Sequence, residues 1–316
     1  MADTNSISNE EVVHVPTPPC LSKAEHPWML TMGKECLSYE ECVLRKVRGI
    51  LNKLTVEKYK LLRGQLIRSG ITTPCLLRQV ASLIFDRAVS EPTFCPLYAF
   101  LCSELCQYLP SFPPDESGGK EVRFMRILMK YCQEAFEGEN MMAAEIRQHD
   151  MAGASNQDFE CRYKERRRNL GNIQFICELS KQKRVFLRIV HFMLKHLVER
   201  SDGCGVNIEA VCLLLNTVGK QLDEFSNESH VVNDTYFGCL EEMLNTHTQF
   251  ESRLKYMLRD VLDLRANNWV HPRHKVKDKT ISELIRCSTA EVLARLRLGA
   301  TTTTNTRILV RDDSAP

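Results

Sequence analysis

The chain has 316 residues and carries 42 Lys and Arg against 40 Asp and Glu, so its formal net charge of +2 selects no class of partner. Affinity for nucleic acid would have to come from local basic clusters. Hydrophobic residues make up 43% of the chain, and Gly and Pro are sparse, which favours a helical protein with a buried core. Unbroken aliphatic runs are short, as in Val211 to Leu215, and fall far below the roughly 20 residues of a membrane-spanning helix.

The 14 cysteines include no C-x-x-C pair, and most lie within helical patterns. We therefore interpret them as small hydrophobic residues in a reducing compartment and predict a cytoplasmic protein without a metal site. The N-terminus, MADTNSISNEE, has neither a basic nor an apolar segment, so we expect no secretory signal.

Residues 1–38 are predicted to form a disordered tail, because prolines cluster there and no apolar period is sustained. A first helix is predicted from Tyr39, where apolar residues recur at steps of three and four. Thr55 is predicted to cap a second helix that ends near Gly70. The apolar positions of these two helices are Val43, Val47, Ile50, Leu51, Leu54, Tyr59, Leu62, Leu66 and Ile67.

Thr73 and Pro74 predict the start of a third helix, and Pro92 and Pro96 bracket a short link to a fourth, Leu97 to Leu109. A fifth is predicted from Val122 to Phe136, followed by a polar stretch over 138–160 that reads as helix plus loop. Further helices are predicted at Arg162–Gln182, Val185–Arg200, Ile208–Phe225, Thr235–Thr246 and Phe250–Leu264. Helix pairs of about 35 to 50 residues predict an all-α, HEAT-like superhelix of about five pairs with flexible tails.

Motifs for catalysis are missing from this sequence. Gly219-Lys220 lacks the other residues of a phosphate-binding loop, and no G-x-S-x-G nucleophile motif occurs. Acidic residues have helical neighbours of opposite charge and are interpreted as surface groups. We therefore predict no catalytic residue, no cofactor and no enzyme activity, while an unrecognised active site stays open as an alternative.

Three basic clusters are candidates for RNA binding through phosphate contacts. Each is equally consistent with an ordinary solvated helix face. The first contains Lys164, Arg166, Arg167 and Arg168, the second Lys181, Lys183 and Arg184, and the third Arg273, Lys275 and Lys277.

Six stretches, in this order, resemble the middle domain of eukaryotic translation initiation factor 4G. QLIRSGIT, PSFPP and the later KVKDKTISELI and LGATTTT are similar to the plant isoform of that factor. The six stretches are 47–56, 84–103, 132–139, 168–180, 208–224 and 253–274.

The resemblance implies a middle domain of five HEAT pairs over 39–272, followed by a basic, then Thr-rich tail over 273–316. It implies a non-enzymatic scaffold of translation initiation that binds the DEAD-box helicase initiation factor 4A and mRNA. Some members of the family also contact the multisubunit initiation factor three. Neither a membrane nor a small-molecule substrate is implied.

The resemblance also implies which residues contact the helicase. Phe94 and Tyr98 are either edge anchors or core. In the LGNI-x-F signature, Gly171 and Asn172 are expected to shape a turn and a close helix contact. The complete set of implied helicase-binding residues is Phe94, Tyr98, Leu170, Gly171, Asn172, Ile173, Phe175, Asp260, Asp263, Arg265 and Trp269.

Two residues depart from the family pattern: Gln174 replaces a usual basic residue and Cys177 a usual Gly. The sequence shows no convincing cap-protein-binding motif, since the nearest match, Tyr39 to Arg45, ends on arginine. We therefore expect a scaffold that lacks the cap-protein-binding arm. The alternative is a middle-domain scaffold of another mRNA pathway: decay, the junction complex or nuclear cap binding.

Overall fold

The computed structural model describes residues 38–114, 119–149, 156–199, 205–225, 227–246, 251–270, 281 and 283–286. The chain divides into two units, Met1–Ser38 and Tyr39–Pro316, and the helices below belong to the second. The predicted N-terminal tail, except for Ser38, most of the predicted C-terminal tail and the third basic cluster lie outside the described residues.

Ten α-helices and one short 3-10 turn make up the described part of the second unit. The helices are α1 Tyr39–Leu51, α2 Tyr59–Ile67, α3 Pro74–Ser90, α4 Cys95–Tyr108, α5 Phe124–His149, α6 Asn156–Lys181, α7 Leu187–Glu199, α8 Gly205–Asp223, α9 Asn227–Thr246 and α10 Ser252–Ala266, and the 3-10 turn is Pro92–Phe94.

Consecutive helices form five pairs, and the pairs stack on one another. Within each pair the two helices are in contact, and the second helices of successive pairs, α2, α4, α6, α8 and α10, touch in that order. First helices also pack on one another, as α1 does on α3 and α3 on α5. A hairpin cannot bury its apolar face alone, so this stacking gives one shared core. The predicted all-α repeat of about five pairs is confirmed.

The apolar periodicity seen in the sequence faces this core. Val43, Val47, Ile50 and Leu51 of α1 are all buried, and Leu101 of α4 has no exposed surface. Burial of each large aliphatic side chain stabilises the fold by about 1.5–3 kcal/mol relative to its exposed state. The inward stripes therefore account for how the pairs hold together.

Helix starts were predicted with mixed success. Thr73 caps α3 as predicted, because its Oγ1 accepts a hydrogen bond from the Leu76 backbone N–H at 3.1 Å, with Pro74 in the first turn. The prediction for Thr55 is wrong, because α2 begins only at Tyr59. Thr55 Oγ1 instead accepts from the Lys58 N–H, at 3.4 Å, in the turn that precedes the helix.

The stretch over 138–160, which the sequence predicts as helix plus loop, is helical in its described residues, 138–149 and 156–160. α5 continues to His149 and α6 already begins at Asn156. Met, Ala and Glu, which are good helix formers, dominate 139–146, and they outweigh the single Gly138. A Cβ at Gly138 would meet no atom within 4 Å, so no packing demand interrupts the helix there.

The described residues contain no strand longer than one isolated bridge, between Phe112 and Val122. Each of these residues donates its N–H to the other's carbonyl, at 3.0 and 2.9 Å, on the two sides of the loop that joins α4 to α5. Among these described residues, no helix is long and apolar enough to cross a membrane.

Candidate partner-binding surfaces

The LGNI-x-F signature lies inside α6 and fixes a close helix contact. A Cβ at Gly171 would lie 2.1 Å from the Val89 carbonyl oxygen at the end of α3, so only glycine allows this approach. Beside it, Asn172 donates from Nδ2 to the Cys132 carbonyl of α5 at 2.9 Å. The expected close contact is confirmed, whereas the expected turn is wrong, because α6 runs unbroken through both residues.

The apolar members of the signature are also internal. Ile173 and Phe175 have no exposed surface, and the Phe175 ring meets the Phe85 ring of α3 edge-on, with centroids 6.3 Å apart. Leu170 is half-buried. Fully buried side chains offer a partner no area, so any contribution of Asn172, Ile173 and Phe175 to binding acts through the position of α6.

The two departures from the family pattern have separate environments. Gln174 is half-buried and donates from Nε2 to the Pro92 carbonyl at 3.4 Å, which joins α6 to the 3-10 turn. Cys177 is fully buried, and this burial raises the pKa of its thiol. Gln174 therefore bears on the placement of the exposed turn, while Cys177 acts as core.

The two aromatic residues near that turn have different roles. Tyr98 is only 2% exposed and donates its hydroxyl to Glu91 at 3.3 Å, and Glu91 also pairs with Arg87 at 2.8 Å. Phe94, the last residue of the 3-10 turn, is 43% exposed. Of the two readings left open by the sequence, Tyr98 is core and Phe94 is a surface residue.

Arg265 and Trp269 close the last helix pair onto α8. Asp223 accepts hydrogen bonds from Arg265 Nε at 3.0 Å and from Trp269 Nε1 at 2.9 Å. The Arg265 guanidinium also lies 4.1 Å from the centroid of the Phe237 ring. A Cβ at Gly219 would clash with the Trp269 indole, so this glycine makes room for it. Both predicted residues are therefore held in intramolecular contacts.

The opposite side of α10 carries an exposed stripe. Tyr256, Asp260 and Asp263 follow at spacings of four and three, which places them on one helix face, and all three are exposed. We call these three residues the α10 stripe. Its two carboxylates and one aromatic ring suit a partner surface that offers basic and apolar groups.

The first basic cluster is mostly engaged within the molecule. Arg166 pairs with Glu209 of α8 at 2.5 Å, and Arg168 pairs with Asp86 of α3 at 2.7 Å. Lys164 pairs with Glu160 one turn earlier, at 2.9 Å. Arg167 is exposed and has no carboxylate partner within the part of the chain that the structure describes. One arginine of this cluster is thus directed to solvent without a partner.

The second basic cluster surrounds the turn between α6 and α7. Lys181 pairs with the buried Glu178 at 2.9 Å, and Arg184 is half-buried. Lys183 is exposed and adopts a positive φ of 57°. The third cluster, Arg273, Lys275 and Lys277, lies outside the described residues.

Sequence reasoning missed an exposed apolar group at the start of α7. Phe186, Ile189 and Phe192 all lie on the surface, although apolar residues at such spacing usually pack inward. The lack of Asp and Glu in 179–198 did not signal this exposure, because 58–85 lacks both as well and carries buried residues such as Leu62 and Leu66.

The described residues can be compared with the requirements of a metal site and of a reactive thiol. No three His, Cys, Asp or Glu side chains come together there as a metal site. Burial raises the pKa of the thiols of Cys132 and Cys212 to about 12, so both are protonated and poorly nucleophilic near neutral pH. What this part of the chain presents is a set of surfaces on a rigid helical frame.

Comparison with known families gives one match that spans most of the chain. The profile of the MIF4G domain matches residues 44–268. The rice (Oryza sativa subsp. japonica) protein "Eukaryotic translation initiation factor 4G" is 37% identical over 257 residues, which is 80% of this chain and 14% of that protein. The mouse (Mus musculus) protein "Eukaryotic translation initiation factor 4 gamma 1" is 36% identical over 286 residues, 84% of this chain and 17% of its own length.

This chain thus spans about a sixth of the length of the curated relatives it matches. Among solved structures, it is similar to the MIF4G domain of Trypanosoma cruzi translation initiation factor EIF4G5. That likeness has a TM-score of 0.46 and 22% identity and covers 72% of this chain and 96% of the other.

Proposed function

Because this chain belongs to the MIF4G domain family, we propose that it is a scaffold of translation initiation that binds the DEAD-box helicase initiation factor 4A and mRNA. The observation that supports this most is the family match over residues 44–268, together with relatives that are initiation factors of the 4G type. The proposal places the protein in the cytoplasm and gives it no catalytic step of its own.

Two exposed surfaces support the helicase part of the proposal. Phe94 lies in the second helix pair and the α10 stripe in the fifth, and each is seated on residues that are fixed by packing. A partner with two mobile lobes is driven toward one arrangement when a rigid scaffold binds that arrangement better than the others. The scaffold then acts by changing the population of conformations of the helicase.

Charge gives the helicase surface a specific test. Asp260 and Asp263 are exposed carboxylates, so replacing both with lysine reverses the charge of the α10 stripe without touching the core. Glu241 and Glu242 of α9 are exposed as well and outside the stripe, so their replacement with lysine makes the same change in net charge elsewhere.

The experiment measures RNA-dependent ATP hydrolysis by purified initiation factor 4A, with and without this chain. We expect the wild-type chain and the Glu241→Lys/Glu242→Lys control to raise the rate. The Asp260→Lys/Asp263→Lys variant should need at least about tenfold more protein for half-maximal stimulation, which corresponds to a loss of about 1.4 kcal/mol of binding free energy.

Capture experiments with several helicases complete the test. Retention of only a helicase of mRNA decay or of the junction complex would overturn the proposal in favour of another mRNA pathway. A wild-type chain that neither retains initiation factor 4A nor changes its rate would refute the helicase part altogether. Equal activity of both lysine variants would remove the α10 stripe from the interface.

A further inference from the structure

The segment between Glu178 and Glu199 carries only basic charges. Its 20 residues, 179–198, contain no Asp or Glu, and they include five cations. The cations are Lys181, Lys183, Arg184, Arg188 and Lys195. The segment begins in α6, turns through 182–186 and continues as α7, so most of these charges lie on or near one helix.

Two phenylalanine rings stand exposed among these cations. Phe186 is 69% exposed and Phe192 is 63% exposed. Val190, Met193 and Leu194 of α7 are buried. The helix therefore cannot rotate about its axis to bury Phe192 without exposing them. Exposed Phe side chains on a fixed helix indicate a contact surface for another molecule.

One face of α7 carries a ring between two cations, and the second ring, Phe186, stands just before the helix. The Arg188 guanidinium lies 5.0 Å from the centroid of the Phe186 ring. Arg188, Phe192 and Lys195 follow at spacings of four and three and therefore share a helix face. Phe186 precedes the first residue of α7 and lies six residues before Phe192 in the chain.

The charges of this surface are largely available to a ligand. Lys183 and Arg188 have no carboxylate partner among the residues that the structure describes. Lys195 has only a long pair with Glu199, at 3.7 Å and with both side chains more than half exposed, which is weak in water. An anionic ligand would find several cations that need not break a strong pair.

We propose that Phe186 and Phe192 form a stacking platform for the bases of single-stranded RNA, with Lys183, Arg188 and Lys195 contacting the phosphates. Aromatic rings that alternate with cations fit a strand with flat bases and one charge per nucleotide. An acidic helical peptide is favoured less, because such a peptide binds in an apolar groove, whereas these two rings are exposed and six residues apart. This inference rests on the RNA part of the proposed function and gives it a site.

The test is equilibrium binding of a fluorescent 20-nucleotide oligouridine to the full chain across a series of salt concentrations. Phe186→Leu/Phe192→Leu keeps apolar side chains but removes both rings, and it should weaken binding at least about fivefold for each ring lost. Its salt dependence should equal that of the wild type, because no phosphate contact is removed. Tyr108→Leu, which removes an exposed ring at the end of α4, should bind RNA like the wild type.

A second variant separates phosphate contacts from stacking. Arg188→Gln/Lys195→Gln should weaken binding and reduce the slope of log affinity against log salt by about 0.7 for each cation, or about 1.4 in total. A Phe192→Trp variant adds a spectroscopic signal, and oligouridine should quench its added fluorescence. Duplex RNA of the same length should not, because its bases are already stacked.

Several results would overturn the platform. Unchanged oligouridine affinity of Phe186→Leu/Phe192→Leu, when the wild type binds, would reject it and leave the RNA part of the proposed function intact. Loss of helicase capture in this variant, with RNA affinity unchanged, would identify the face as a protein contact and also reject it. A wild-type chain that does not bind oligouridine at all would refute RNA binding itself together with the platform.

Discussion

The LGNI-x-F segment of α6 and the terminal segment of α10 both resemble the same family, yet the first is mostly buried and the second carries exposed residues. Gly171, Asn172 and Phe175 lie where α6 packs against α3 and α5. Asp260 and Asp263 of α10 are exposed, while Arg265 of the same helix turns back onto Asp223. A family signature therefore mixes residues that build the frame with residues that can meet a partner, and only burial separates them.

The largest expected effect comes from matched aromatic truncations. Phe175→Ala should lower the free energy of unfolding by about 3–5 kcal/mol, because it leaves a cavity in a fully buried site. Tyr256→Ala, at 64% exposure, should change it by less than about 0.5 kcal/mol. Urea denaturation measures both. A small loss for Phe175→Ala would mean that α6 is not the packed centre described above.

A matched pair of glycine substitutions sharpens the account of the helix contact. Gly171→Ala should destabilise by about 1–3 kcal/mol, since the added methyl group overlaps the backbone carbonyl of Val89. Gly238→Ala, where a Cβ meets nothing within 4 Å, should stabilise α9 by about 0.5–1 kcal/mol. The melting temperature measures both effects. A shift in the same direction for both variants would contradict the close approach of α6 to α3.

The first basic cluster offers a comparison between neighbouring residues. Arg166→Gln should cost about 1 kcal/mol of stability, because it leaves the mostly buried Glu209 with only its contact to Arg253. Arg167→Gln should leave stability unchanged within about 0.5 kcal/mol, since that side chain is solvated. Chemical denaturation measures the stability of both variants. Equal losses of stability would show that the ion pair of Arg166 with Glu209 does not stabilise the fold.

Charge reversal of the α10 stripe should change binding far more than stability. Asp260→Lys/Asp263→Lys should leave the free energy of unfolding within about 1 kcal/mol of the wild type, while helicase capture falls at least about tenfold. Denaturation and capture are measured on the same preparation. A stripe variant that unfolds much more easily would place these carboxylates in the frame instead of on a binding surface.

Much of the fold could be predicted from local patterns. Apolar steps of three and four identified α1, and Thr73-Pro74 marked the start of α3, because these signals depend on nearby residues alone. The stretch 138–160 was predicted as helix plus loop without bounds, because its polar composition does not show that α5 ends at His149 and α6 begins at Asn156. Thr55 was misplaced because a turn and a helix start offer the same hydrogen bond to a threonine.

The surfaces were harder to predict than the helices. Glu209 pairs with Arg166 of α6 and Arg253 of α10, and Asp223 pairs with Arg265 of α10. These pairs span 42 to 44 residues of sequence, which no local pattern reveals. Phe186 and Phe192 look like core by hydrophobicity, and only their exposure shows otherwise. Which residues touch a partner stays a prediction, because the direction of a side chain depends on contacts between distant helices.

Hydroxyl-radical footprinting of the chain, alone and with purified initiation factor 4A, tests the central claim most directly. The exposed rings of Phe94 and Tyr256 should oxidise readily in the free chain and be protected in the complex, while the exposed Tyr39 stays reactive in both. The buried Tyr98 and Phe175 should react slowly in either state. Protection of Tyr39 with unchanged oxidation of Phe94 and Tyr256 would contradict the account.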